Sequence, residues 1–188
     1  MTKPILIDVP ENFETERLII RAARPGDGKL VYDAALESQK ELMPWMPWAV
    51  DLPDAEQYEV IIREGRLRYL AREDLWMLLF LKKNGALAGG SGLHRIDWDV
   101  PKFEIGYWVR TALAGRGLVT EAVNGITDLA FNKLGAKRVE IRCDSNNERS
   151  AAVARRAGYK LEATLRNHRR NHLTEELSDT LVFTKLHL

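Results

Sequence analysis

The sequence predicts a single α/β domain in which a central, mostly antiparallel mixed sheet is flanked by helices. Three observations predict it. Short apolar runs with strand-like alternation take turns with stretches whose apolar residues recur every three or four positions. No repeat or low-complexity linker interrupts that order. A chain of 188 residues with 45% hydrophobic content is enough for one core and too short for two.

Residues 1–13 read as an N-terminal extension and 14–188 as the domain. Arg17 to Ala22 is the first strand. Pro25-Gly-Asp27 then opens a helix carrying Leu30, Val31, Ala34 and Ala35, and Asp54 caps a second helix with Tyr58, Ile61, Ile62 and Leu67. Leu75 to Lys82 and Leu87 to Arg95 form a hairpin that turns at Lys83-Asn-Gly85. Lys102 to Arg110 is the next strand. Leu118, Val119, Ala122, Val123, Ile126, Leu129, Ala130 and Leu134 make one apolar helical stripe, which Gly135 stops. A strand from Arg138 to Cys143, a helix opening near Asn147, and strands near 159–168 and 176–186 complete the chain.

Composition narrows the function classes. Lys plus Arg at 28 against Asp plus Glu at 27 leaves a formal net charge of +1, so no global field marks a nucleic-acid binder. A single cysteine rules out an internal disulfide and any metal site built on cysteine spacing, and no metal is expected. Ile5-Leu-Ile7 is too short for the apolar core of a signal peptide, and Leu75 to Leu81 is too short to span a bilayer. The expected location is cytoplasmic, away from any membrane.

The most informative stretch is Glu104-Ile-Gly-Tyr-Trp-Val-Arg-Thr-Ala-Leu-Ala-Gly-Arg-Gly-Leu-Val-Thr-Glu121. A strand runs into a turn punctuated by Gly115 and Gly117 and then into a helix. Glycines let backbone approach phosphate oxygens, and the free N–H groups of the first helical turn point at them. An anionic ligand such as a pyrophosphate fits; a plain strand-to-helix turn has the same spelling. No Gly-Lys-Ser or Gly-Lys-Thr follows, which disfavours a P-loop enzyme. Downstream, Asn147 and Ser150 are three apart and share a face of a first helical turn, although Ser145 with Glu148 also spells a capping box.

The first of these segments resembles the acetyl-CoA-binding motif of the GNAT superfamily of N-acetyltransferases. The second, Asn147-Glu-Arg-Ser150 leading to Gly158-Tyr159, resembles that superfamily's Asn-x-x-Ser helix. Glu-Ile-Gly-Tyr-Trp together with Val-Ala-Arg-Arg looks like the RimJ/RimL branch, which acetylates protein N-termini, notably of ribosomal proteins. The likeness extends from Thr15 to Phe183; it departs at Ala112, where the superfamily often has Gln or Arg, and in the basic segment Arg166-Asn-His-Arg-Arg-Asn-His172, which lacks a turn glycine.

The resemblance implies the GNAT fold, acetyl-CoA as donor, and a primary amine as acceptor. It assigns the pantetheine arm to the backbone of Trp108, Val109 and Arg110, and the phosphates to Gly115, Arg116, Gly117, Leu118, Val119 and Thr120. It further implies that Asn147 hydrogen-bonds the arm and that Ser150 donates a proton to the leaving thiolate. Asp179 corresponds to a last-strand position that orders a loop.

The residues themselves suggest the rest. Glu104 is out of phase with Phe103, Ile105 and Tyr107, so it faces the opposite side of its strand and is the first choice for general base; a structural ion pair is the alternative. His94 is the reserve base beside the acceptor. Trp45 and Trp48, in Leu42-Met-Pro-Trp-Met-Pro-Trp48, offer an apolar wall to the acceptor. Cys143 reads as packing rather than as an acyl carrier. The 166–172 segment faces an acidic acceptor, a partner subunit as in a homodimer, or water. A protein N-terminal α-amine is the leading acceptor, ahead of a polyamine, amino acid or aminoglycoside; a non-catalytic acyl-CoA-binding module is the rival of another class.

Overall fold

The computed structural model describes residues 3–187. One sheet of eight strands runs in the order β1-β2-β3-β4-β5-β6-β8-β7. The strands are β1 (Asn12–Glu14), β2 (Leu18–Ala22), β3 (Leu75–Leu81), β4 (Leu87–Asp97), β5 (Lys102–Val109), β6 (Arg138–Asp144), β7 (Lys160–Arg170) and β8 (Leu177–Leu186). Only β5 and β6 run parallel; every other neighbouring pair is antiparallel. Helices α1 (Gly28–Leu42) and α2 (Ala55–Ala71) cover one face, and α3 (Leu118–Asn132) and α4 (Glu148–Arg156) the other.

Alternation along the strands feeds two cores. Phe103, Ile105, Val139, Ile141 and Phe183 meet the stripe of α3, with Leu118, Val123 and Ile126 fully or almost fully buried. On the other face Leu78, Phe80 and Leu87 meet Val31, Ala35 and Ile62 of α1 and α2. Asp54 caps α2 as its sequence predicts, its Oδ1 accepting from the amide of Gln57 at 2.8 Å. Asp27 opens α1 differently: its carboxylate makes no cap but accepts from the amide of Arg24 and takes a two-pronged pair from Arg21.

The boundary drawn at residues 13 and 14 falls inside β1, and residues ahead of it contact the rest of the chain. Val9 is buried, the Tyr69 hydroxyl donates to Pro10 O, and Arg72 Nε donates to Ile7 O. The basic segment is also revised, because β7 runs to Arg170 and absorbs most of it as an exposed edge strand. Asp179 orders that hairpin as expected: its carboxylate accepts from the Asn167 amide at 2.8 Å and from Arg166 at 2.6 Å. Among the described residues no helix is long and apolar enough to cross a membrane.

Candidate active site

The site begins with a failure of pairing. β5 meets β6 only at Lys102, Phe103 and Glu104, after which the two strands part while β6 stays paired with β8 as far as Asp144. The Arg110 amide donates to Ala88 O on the β4 side at 2.8 Å. Alternation then turns the amides and carbonyls of Tyr107 and Val109 toward the open side, where an extended ligand can pair with them. Arg110 is therefore not part of that edge: its amide is used by β4 and its guanidinium binds Glu37 and Leu87 O.

A groove of about 890 Å³ continues from Val109 past the turn to α4. Gly115 and Gly117 have φ of +75° and +76°, a left-handed conformation that L side chains rarely adopt. Among the described residues the amides of Gly115 through Thr120 make no hydrogen bond, and the buried hydroxyl of Thr120 has no partner. Arg116, Arg149 and Arg156 line the same groove. A row of free N–H groups at a helix N-terminus, an orphan hydroxyl and three guanidiniums fit the pyrophosphate end of a CoA thioester.

The turn is braced from behind. Glu121 accepts from Thr15 Oγ1, from the Arg17 amide and from Arg17 Nε, while Arg17 Nη1 donates to Arg116 O at 2.9 Å. Burial alone raises the Glu121 carboxyl pKa, but the hydrogen bonds from Thr15 and Arg17 outweigh it and hold it below the usual range.

Asn147, not Ser145, caps α4. Its Oδ1 accepts from the Ser150 amide at 3.0 Å, so the capping box does not form, and its side-chain NH2 group is left to donate. Ser150 Oγ lies 2.9 Å from the Tyr107 hydroxyl, which also reaches Ser150 O at 3.0 Å. Burial pushes the Tyr107 phenol far up, against the opposing pull of Ser150, so it stays neutral. Tyr107 was missed in the sequence, although its phase on β5 already points it toward α4. Cys143 is buried beside Ser150, and burial raises its thiol, as expected of a packing residue.

On the opposite face of β5 a second cavity, of about 450 Å³, is walled by Met46, Trp48, Tyr58, Trp76 and Trp108. Glycines make room for its rings: a Cβ at Gly90 would lie 2.6 Å from Trp108 Nε1, and one at Gly65 would lie 2.7 Å from Trp76 Cε3. Trp48 and Trp108 pack edge to face at 5.9 Å. Trp108 thus contributes its indole to this wall. Trp45 does not line the cavity. His172 Nε2 donates to Met43 O at 2.8 Å, which pins the basic hairpin against the start of the tryptophan loop.

Glu104 is not in the cavity. Its carboxylate lies 3.6 Å from Arg95 and 3.5 Å from Arg142, an ion-pair setting that argues against the role of base. His94 does line the cavity, with Nδ1 2.7 Å from Asp74 Oδ2. Among the described residues no cluster of His, Cys, Asp and Glu is arranged to hold a metal ion.

Comparison with known proteins is consistent along most of the chain. A family model described as "Acetyltransferase (GNAT) domain" matches residues 17–160. YdaF of Bacillus subtilis (strain 168), provisionally assigned as a ribosomal N-acetyltransferase, is 31% identical over 153 residues, 81% of this chain and 82% of that protein. The ribosomal-protein-serine acetyltransferase of Escherichia coli (strain K12) is 24% identical over 152 residues, covering 81% and 84%. The structure of RimL, a ribosomal L7/L12 α-N-protein acetyltransferase in complex with coenzyme A, superposes with a TM-score of 0.84. It is 20% identical and covers 95% of this chain and 97% of that one, a likeness of fold.

Proposed function

Because the chain belongs to the GNAT acetyltransferase family and uses acetyl-CoA as donor, we propose that it acetylates the N-terminal α-amine of a protein by direct attack in a ternary complex. The observation that carries this reading is the meeting of two cavities at one strand. The polar groove lies along the open edge of β5 and the N-termini of α3 and α4, and the aromatic cavity lies on the other face. Tyr107 lines the aromatic cavity while its hydroxyl touches Ser150 beside the groove. An amine entering from the α1/α2 side and a thioester lying along β5 then approach each other through the gap between β5 and β6, and holding them in line supplies much of the acceleration.

The chain's groups divide the work. The free amides of residues 115–120 bind the donor phosphates, and the edge of Tyr107 and Val109 holds the pantetheine arm with help from the Asn147 side chain. Ser150 donates the proton that the departing sulfur requires. The buried, protonated Cys143 is a poor nucleophile, which favours direct transfer over an acyl-enzyme.

The acceptor assignment rests on chemistry and on the relatives. A free α-amine ordinarily titrates near about 8 and a lysine side chain near about 10.4, so near neutrality more of the α-amine is already the nucleophile. The aromatic cavity suits the apolar part of an N-terminal residue, and both sequence relatives carry names that refer to ribosomal acetylation. The test is acetyl-CoA turnover against peptides with free N-termini, the same peptides with blocked N-termini but free lysines, and small amines, with products mapped by mass spectrometry. Acetyl groups on lysine, or a small amine turned over far better than every peptide, overturn the α-amine reading.

A further inference from the structure

We propose that His94, oriented by Asp74, takes the proton from the acceptor amine, an inference that rests on the acetyltransferase reading but not on which amine is the acceptor. His94 lies near the end of β4 and Asp74 on the turn between α2 and β3. Nδ1 and Oδ2 are 2.7 Å apart. An ionised carboxylate only accepts hydrogen bonds, so Nδ1 carries the proton and the lone pair is on Nε2. Among the described residues Nε2 has no hydrogen-bond partner, and the ring borders the aromatic cavity.

Two glycines create the space for that ring. Gly92 and Gly106 face each other across β4 and β5. A Cβ on Gly106 would lie 3.1 Å from Cδ2 and 3.3 Å from Nε2 of His94, and one on Gly92 would lie 3.2 Å from Cε1. The imidazole is thereby held against β5 one residue before Tyr107, whose hydroxyl binds Ser150 on the other face. Base and proton donor flank the same short piece of strand.

The surroundings of His94 are mixed. Asp74 is the acidic group in contact with the ring, and Arg68 of α2 is the basic group that lines the same cavity. Tyr58 of α2, Ser91 of β4, Tyr107 of β5 and the indoles of Trp48, Trp76 and Trp108 are the other polar groups around the cavity. Glu104 is the cross-strand partner of His94, but its carboxylate faces Arg95 and Arg142.

The step balances without a further reactant. The amine nitrogen bonds to the acetyl carbonyl carbon, the carbon–sulfur bond breaks with its electron pair going to sulfur, and the surplus amine proton goes to His94 Nε2. The departing sulfur takes the Ser150 hydroxyl proton, Ser150 recovers one from water, and His94 releases the amine proton to water, so that no proton is gained or lost overall. Asp74 is a positioning residue that holds the tautomer and stabilises the imidazolium.

The experiment compares wild type with His94→Gln, His94→Asn and Asp74→Asn, using serine- and alanine-initiated peptides and spermidine as acceptors. For the fastest acceptor, both His94 variants should lose about 10²- to 10⁴-fold in kcat/KM, the range of general-base catalysis. They should also lose the acidic limb of the pH profile and keep the thermal shift that CoA produces. Asp74→Asn should lose less, because it leaves the base in place and removes only the group that orients it. Independently of turnover, ¹⁵N NMR of the imidazole should show the Nδ1-protonated tautomer in wild type and loss of that bias in Asp74→Asn. An intact acidic limb in the His94 variants, or an Nε2-protonated tautomer in wild type, overturns the proposal. If spermidine proves the fastest acceptor, the α-amine reading fails while the same variants still test the base; if no acceptor reacts, the tautomer decides.

Discussion

Tyr107 and Ser150 hold one another across the cleft at two points, the phenol oxygen lying 3.0 Å from Ser150 O and 2.9 Å from Ser150 Oγ. With the phenol proton on the carbonyl, the phenol oxygen accepts from the serine hydroxyl, so the first turn of α4 is tied to β5 where the strand leaves its neighbour. Burial keeps the phenol neutral, and the contact is that of an aligning group rather than a charged one.

Ser150→Ala should lower kcat by about 10²-fold or more while changing the acetyl-CoA KM little, as loss of a general acid requires. Tyr107→Phe should lower kcat by less. Asn147→Ala should raise the acetyl-CoA KM and cost about 1 kcal/mol of stability through loss of the helix cap. Steady-state kinetics with urea titrations separate these effects. A Ser150→Ala protein with wild-type kcat removes Ser150 as the proton donor.

CoA and acetyl-CoA should stabilise the fold, by roughly 2.7 kcal/mol at about 100 times Kd. Gly115→Val with Gly117→Val should abolish the shift in melting temperature. Space for a side chain exists at Gly115, so the loss there comes from the left-handed φ and from the Cβ shielding the amides that face the groove. Persistence of the full shift in the double variant places the phosphates elsewhere.

The two tryptophans of the acceptor loop should behave differently. Trp48→Ala removes a ring that packs on Trp108 in the cavity wall and should raise the acceptor KM. Trp45→Ala should have a smaller effect. Neither should alter acetyl-CoA affinity, measured by calorimetry, and equal acceptor KM changes contradict the assignment of the wall.

Glu121 should contribute a pH-dependent stability. Its folded-state pKa is depressed from the ordinary value of 4.5 because the hydrogen bonds from Thr15 and Arg17 outweigh burial. Its contribution is therefore present above the unfolded-state value and is lost as the pH falls through the lower folded value. Glu121→Gln should cost about 1–3 kcal/mol near pH 7, the scale for breaking a partly buried charged hydrogen bond. The gap from wild type should shrink in acid, as followed by denaturant titration from neutral pH downward. A gap that stays constant over that range rules the carboxylate out.

Much of this molecule is readable along the chain. The period of the α3 stripe, Asp54 before α2, Lys83-Asn-Gly85 between β3 and β4, and the glycine turn before Leu118 are local signals, because periodicity and turn chemistry depend on residues within a few positions of one another. They sufficed for the order of elements and for the glycine turn that leaves a row of unpaired amides at the start of α3. What required the tertiary structure was the identity of partners. Glu104 looks free in its strand, but Arg142 arrives from β6, the strand that lies parallel to β5, and makes it part of an ion pair. His94 looks like an isolated histidine, but Asp74, twenty positions earlier, meets it at the neighbouring end of β3. The separation of β5 from β6 belongs to the same class: no local pattern says where a parallel pair stops, because the partner strand comes from a distant part of the chain, and the separation is what leaves the edge of β5 open.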